Sequence, residues 1–170
     1  MTKDISHIST PRLQGEAICE KHWAIWRKMS TNPQLMSTLG GVWDSPTAWE
    51  RLTKNIEHWE ENDMGLWMFY DNYTNEFVGR CGLRRLKING KNEVELSYSV
   101  LPHYWRQGFA YEMSQAAIKI GFSCMNLQSI VGFTLPTNIA SIKTLQKLEF
   151  IFEKNIVHES LEHVLHRKKN

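Results

Sequence analysis

Leu101-Pro102-His103-Tyr104-Trp105-Arg106-Gln107-Gly108-Phe109-Ala110-Tyr111-Glu112 reads as the end of a strand, a tight loop and the first turn of a helix. Gly108 permits close backbone approach, and Ala110 keeps the following turn small. The first N–H groups of a helix have no partner within it and sit at its positive end. The loop is therefore a ready site for an anion such as a cofactor phosphate.

The flanking segments place this loop within a mixed fold. Upstream, Asn89-Gly90 predicts a type I′ hairpin turn. It leads into Val94-Glu95-Leu96-Ser97-Tyr98-Ser99-Val100, where Val94, Leu96, Tyr98 and Val100 share one face and Glu93, Glu95, Ser97 and Ser99 the other. Before the turn, Gly65 to Tyr70 and Phe77 to Leu86 read as strands joined by a polar turn. Downstream, Phe109, Met113, Ala116, Ala117 and Ile120 form the apolar stripe of a helix running to about Met125, with Glu112 near its positive end. Ser129 to Leu135 is a strand. Asn138 caps a helix through Leu148, and strands at Phe150–Val157 and Leu161–His166 follow.

Nearer the N-terminus, residues 6–17 read as one strand carrying Thr10-Pro11-Arg12-Leu13. Residues 19–30 read as a short helix with Cys19, Trp23 and Trp26 on one face, and residues 31–44 as a loop with Gly40-Gly41. A longer helix starts with Ser45 as N-cap and Pro46 at its first position, and ends near Asn62-Asp63. The expected order is β-α-α-β-β-β-α-β-α-β-β. This is a mixed α/β fold with a mostly antiparallel twisted sheet of about seven strands and helices on both faces. The whole chain, residues 1–170, is expected to form one domain.

The apolar share of 42% fits a soluble globular chain, and a net charge of +2 is too small to indicate a nucleic-acid partner. Met1-Thr2-Lys3-Asp4 shows no apolar leader, and no run is long enough to span a bilayer, so no membrane partner is expected. Cys19, Cys81 and Cys124 are odd in number and far apart, which suggests reduced thiols and a cytoplasmic setting; Cys124, on the loop helix, is expected to be buried. The histidines form no metal site: His163 and His166 point to opposite strand faces, and His158 could meet His163 without a third ligand.

Several motifs, in order, resemble the GCN5-related N-acetyltransferase (GNAT) superfamily, and within it the ribosomal-protein N-acetyltransferase branch typified by RimJ and RimL. Thr10-Pro11-Arg12-Leu13 is similar to its T-x-R-L, and Glu95-Leu96-Ser97-Tyr98 to its E-[IL]-G-Y. Pro102 to Ala110 is similar to P-x-x-W-G-K-G-Y-A. Asn138-Ile139-Ala140-Ser141, continuing to Leu145-Gln146-Lys147-Leu148-Glu149-Phe150, is similar to N-x-x-S…L-x-K-x-G-F.

The resemblance implies acetyl-coenzyme A as donor, no metal, and a primary amine as acceptor. It places the backbone of Arg106, Gln107, Gly108, Phe109 and Ala110 around the pyrophosphate, and Val100 and Asn138 along the pantetheine arm. Glu95 becomes the general base, with Trp67 or Trp105 shielding its carboxylate. Ser141, near the sulfur, serves the leaving thiol. Family members outside this branch use a tyrosine after the last motif; Phe150-Ile151-Phe152 has none, which leaves Tyr98 and Tyr111 as lesser candidates. Two departures stand out. Ser97 replaces a glycine and crowds the strand, and Glu149 replaces a glycine, so its turn is expected to be rearranged.

The acceptor stays open between the N-terminal amine of a protein and a small amine such as a polyamine, an aminoglycoside or an amino acid. A non-catalytic acyl-CoA-binding domain would keep the loop and lack a working base, and an unrelated phosphate-binding protein would share only the loop. The oligomeric state is open between monomer and homodimer.

Overall fold

A computed structural model describes residues 4–170. Met1 to Lys3, on which part of the leader reading rests, lie outside the described residues. Eight strands form one sheet in the order β1-β2-β3-β4-β5-β6-β8-β7. They are β1 (His7–Ser9), β2 (Leu13–Ala17), β3 (Leu66–Asp71), β4 (Phe77–Ile88), β5 (Lys91–Val100), β6 (Ser129–Thr134), β7 (Ile151–His158) and β8 (Leu161–Lys169). Neighbours pair antiparallel except β5 with β6. The helices are α1 (Trp23–Ser30), α2 (Pro33–Met36), α3 (Ser45–Asn62), α4 (Phe109–Ser123) and α5 (Ile139–Lys147).

The sheet has two covered faces. On one, Phe109, Met113 and Ala117 of α4 and Leu145 of α5 pack on Trp67, Cys81, Leu83, Val94, Leu96 and Val100. On the other, Trp26 and Met29 of α1 and Ala48 and Leu52 of α3 pack on Leu66, Met68 and Phe77. The alternation read along β5 thus assigns its aliphatic residues to the α4 face and Glu95, Ser97 and Ser99 to the α1 face. The Asn89-Gly90 turn has φ of 48° and 78°, as a two-residue primed turn requires, and sets Ile88 opposite Lys91.

Several local expectations are corrected. Residues 6–17 are two strands, because Thr10 and Pro11 form the turn between β1 and β2, closed by Thr10 N–H donating to the Leu13 carbonyl at 2.9 Å. This raises the strand count to eight. Cys19 precedes α1 as the cap of a single 3-10 turn at Glu20–His22. Residues 31–44 contain the short α2, whose cap is Asn32. The cap of α3 is Asp44, accepting from Thr47 N–H at 2.8 Å, which moves Ser45 into the helix. Cys124 is exposed at the end of α4.

The turn after α5 keeps the geometry a glycine would give. Glu149 stands at φ 67°, and the chain closes through Phe150 N–H to the Leu145 carbonyl at 3.0 Å. The exposed pair between Glu149 and Lys168 adds little to stability. Glu149→Gly removes the left-handed strain, so differential scanning calorimetry should show Tm rising by roughly 2–4 °C. An unchanged or lower Tm would contradict a strained Glu149.

Candidate active site

A single 3-10 turn at Pro102–Tyr104 links β5 to the loop. Arg106 stands at φ 62° and Gly108 at φ 82°, which turns the backbone into a concave arc ahead of α4. Among the described residues, the backbone N–H groups of Arg106, Gln107, Gly108, Phe109, Ala110 and Tyr111 bond to no other protein group. His103 and Trp105 to Gly108 are solvent-exposed. A Cβ at Gly108 would meet only the far end of Arg12, at 3.5 Å from Nη2. An open arc of unpaired donors at a helix N-terminus fits a pyrophosphate.

The arc is tied down by the Thr10–Leu13 turn. Glu112 Oε1 accepts from Thr10 Oγ1 at 2.6 Å and from Arg12 N–H at 2.9 Å, while Arg12 Nε donates to Glu112 Oε2 at 2.6 Å. Arg12 Nη1 reaches the Gln107 carbonyl at 3.0 Å, and its guanidinium lies 4.1 Å over the Phe109 ring. Burial pushes the Glu112 carboxyl up, but the hydrogen bonds from Thr10 and Arg12 outweigh it and hold the group below its usual 4.5. A lowered folded value means stability that is present above about pH 4.5 and lost as pH falls through that value. The stability difference between wild type and Glu112→Gln should therefore shrink in urea melts as pH drops below 4.5. A difference independent of pH would contradict the tie.

Beyond the loop, β5 and β6 share one paired position, Glu95 opposite Val131. Leu101 N–H bonds to the Val78 carbonyl of β4, so alternation turns the backbone groups of Tyr98 and Val100 away from β4 toward the β6 side. The carbonyl of Val100 is already taken by the Trp105 indole N–H at 2.6 Å, so Trp105 braces the strand end.

The gap is bridged lower down. Tyr98 Oη lies 2.9 Å from Ser141 Oγ and donates to the Ser141 carbonyl at 3.2 Å. Asn138 caps α5, its Oδ1 accepting from Ser141 N–H at 3.2 Å. Asn138, Ser141 and Tyr98 are thus brought together on the α4 face. Burial pushes the Tyr98 hydroxyl up to about 12, which keeps its proton in place at neutral pH.

Glu95 lies on the opposite face and is 6% exposed. Its expected shield is corrected: Trp67 sits in the α4-side core against Trp59, and Trp105 is at the strand end. The group beside Glu95 is Arg84, whose Nη2 donates to Oε2 at 2.8 Å. The other carboxylate oxygen, Oε1, has no hydrogen-bond partner among the described residues. Trp43 lines a small pocket with Trp26, Arg80 and Ser99. The last hairpin reaches this face too, where Glu159 pairs with Arg51 of α3 at 2.8 Å and the His158 and His163 rings lie 5.9 Å apart.

Sequence reasoning undervalued Tyr98 and passed over Arg80 and Arg84. The signals were present. Tyr98 is the polar tip in an otherwise aliphatic alternation, and counting outward from Asn89-Gly90 sets Arg84 opposite Glu95 and Arg80 opposite Ser99.

Comparison with known proteins accords with this geometry. The acetyltransferase (GNAT) domain family matches residues 12–151. YkkB of Bacillus subtilis, an uncharacterised protein, is 26% identical over 125 residues, covering 74% of this chain and 73% of its own. The crystal structure of an acetyltransferase from Agrobacterium tumefaciens superposes with TM-score 0.87 at 19% identity, covering 100% of this chain and 98% of that one. An acetyltransferase from Salmonella typhimurium, which modifies the N-terminal serine of 50S ribosomal subunit protein L7/L12, superposes with TM-score 0.80 at 14% identity, covering 96% and 99%. The family match spans the loop, the β5–β6 gap and α5 together, and the chain belongs to the GNAT family of acetyltransferases.

Proposed function

We propose that the chain transfers the acetyl group of acetyl-CoA to a primary amine, with the amine entering from the α1 face of β5 and the sulfur leaving on the α4 face. The observation that carries this reading is the division of polar groups across the gap. Glu95 Oε1, without a partner, lies on one face, and Tyr98 with Ser141 lies on the other. The open N–H arc of Arg106–Ala110 holds the pyrophosphate, and Lys147, 4.4 Å over the Tyr111 ring, adds positive charge close by. The backbone groups of Tyr98, the Val100 N–H and the Asn138 side chain line the path of the pantetheine arm, the Val100 carbonyl being held by Trp105.

Glu95 accepts a proton from the bound ammonium and leaves a nucleophilic nitrogen. The nitrogen bonds to the acetyl carbon as the carbon–sulfur bond breaks. Two protons leave the nitrogen in all; one ends on sulfur and the other in solvent. Tyr98, protonated, turns its one hydroxyl proton from the Ser141 carbonyl to the departing sulfur, while Ser141 Oγ donates to Tyr98 Oη and holds the ring in place. The Salmonella relative supports an N-terminal amine among the acceptors to be tried.

An amine panel read by free-thiol release tests the reaction. With a good acceptor, Tyr98→Phe should lower kcat about 10-fold, the size of one lost hydrogen bond, while acetyl-CoA affinity holds. Unchanged kcat would take Tyr98 out of the mechanism. Thiol release with none of the amines, despite acetyl-CoA binding, would favour a non-catalytic acyl-CoA-binding domain.

A further inference from the structure

The α1 face of the gap holds one buried cation, Arg80, without a carboxylate partner among the described residues. On this face Arg167 pairs with Glu93 at 2.8 Å. Arg84 pairs with Glu95 and Arg51 with Glu159, each at 2.8 Å. Arg80 has no carboxylate within salt-bridge distance among the described residues. It is 9% exposed, and its one hydrogen bond is a long one, Nη1 to Ser97 Oγ at 3.3 Å. Its guanidinium lies 5.4 Å from the centre of the Trp26 ring and borders the small pocket under α1 and α2. Arg84 Nε is also buried without a partner.

A buried guanidinium lacking a counter-ion is costly, and so is a buried donor left unmade. Both groups flank the path to Glu95. Ser97, which holds Arg80, is the next residue after Glu95 on this face, about 7 Å along the strand. An ammonium on Glu95 Oε1 and a negative group on Arg80 would therefore be held close together. A guanidinium fork matches a carboxylate by two parallel hydrogen bonds.

We propose that the acceptor carries a carboxylate within a few bonds of its reacting amine, and that Arg80, oriented by Ser97 and Trp26, binds that carboxylate while Glu95 takes the ammonium. The proposal rests on the acetyl-transfer reading above. Two sources supply such a carboxylate: a free amino acid, or a peptide whose N-terminal residue has an acidic side chain.

The test compares matched acceptors with acetyl-CoA and the full chain. Methionine, phenylalanine and glutamate are each run beside their amide and their decarboxylated amine. Peptide amides beginning with Asp or Glu are run beside one beginning with Ala. The acid-bearing member of one arm should have kcat/KM about 10-fold or more above its neutral partners, the size of a charge-assisted hydrogen bond. Arg80→Met should erase that preference, and Arg80→Lys should keep part of it. A preference among the free acids identifies an amino acid acceptor; one among the peptides identifies the acidic side chain.

A second readout needs no turnover. N-acetylmethionine, N-acetylphenylalanine and N-acetylglutamate are each compared with their amides as thermal-shift ligands. At least one acid should raise the Tm of wild type more than its amide does, and Arg80→Lys should reduce that shift. Amides and decarboxylated amines that equal the acids in both assays would overturn the proposal, as would an Arg80→Met loss shared equally by all acceptors. Lack of thiol release with every amine, beside a carboxylate-dependent thermal shift, would instead overturn the acetyl-transfer reading and leave the carboxylate site standing.

Discussion

Gly108→Trp is expected to weaken acetyl-CoA binding at least 100-fold in calorimetry. Gly108 stands at φ 82° with open space before it, and a Cβ there would contact only a terminal nitrogen of Arg12. The substitution therefore adds left-handed strain of roughly 1–2 kcal/mol without a core clash. The indole then covers the arc of N–H groups from Arg106 to Ala110, and the phosphates lose several charge-assisted hydrogen bonds together. Gly90 supplies the control. It stands at φ 78° in the β4–β5 turn with nothing within 4 Å of its would-be Cβ. Gly90→Trp carries similar strain, and it should leave acetyl-CoA affinity unchanged. Equal losses in both variants would mean that strain, and not the cradle, governs binding.

The second large effect falls on Glu95. General-base catalysis contributes about 10²- to 10⁴-fold, so Glu95→Gln should lower kcat by a factor in that range on an accepted amine. The substitution also strips Arg84 of its carboxylate, which costs stability. Arg84 is partly exposed, so this loss is softened by water and the variant should still fold. With acetyl-CoA bound as proposed, through the loop and the opposite face of β5, its affinity should hold in Glu95→Gln. A variant with full turnover would remove Glu95 as base. One that loses acetyl-CoA binding as well would point to general disruption.

What the sequence made legible was local. The Asn89-Gly90 turn, the alternation along β5 and the apolar stripe of α4 each depend on a few neighbouring residues, and each stands in the structure where it was expected. Asn138 as a helix cap was legible for the same reason. The hidden features depend on distant partners. Thr10 and Pro11 form a turn whose purpose, holding Glu112, lies a hundred residues away. Trp67 falls on the α4 face through strand pairing that its own segment does not reveal. The Arg84–Glu95 pair follows from hairpin register, a longer-range count than periodicity alone supplies. Ser45 and Asp44 are both good cap residues, and only the Thr47 hydrogen bond separates them. Glu149 holds a glycine-like turn because the Phe150–Leu145 bond and the packing of Phe150 in the core fix the backbone more firmly than one side chain can oppose.

The donor side therefore reads from motif and backbone geometry, whereas the acceptor side reads from charges that the sheet brings together. Both depend on one claim, that the loop and the β5–β6 gap form a binding site for acetyl-CoA. A calorimetric titration of the wild-type chain with acetyl-CoA tests this most directly. One site per chain with a dissociation constant on the order of micromolar is the expected result, and no binding at millimolar acetyl-CoA would contradict it.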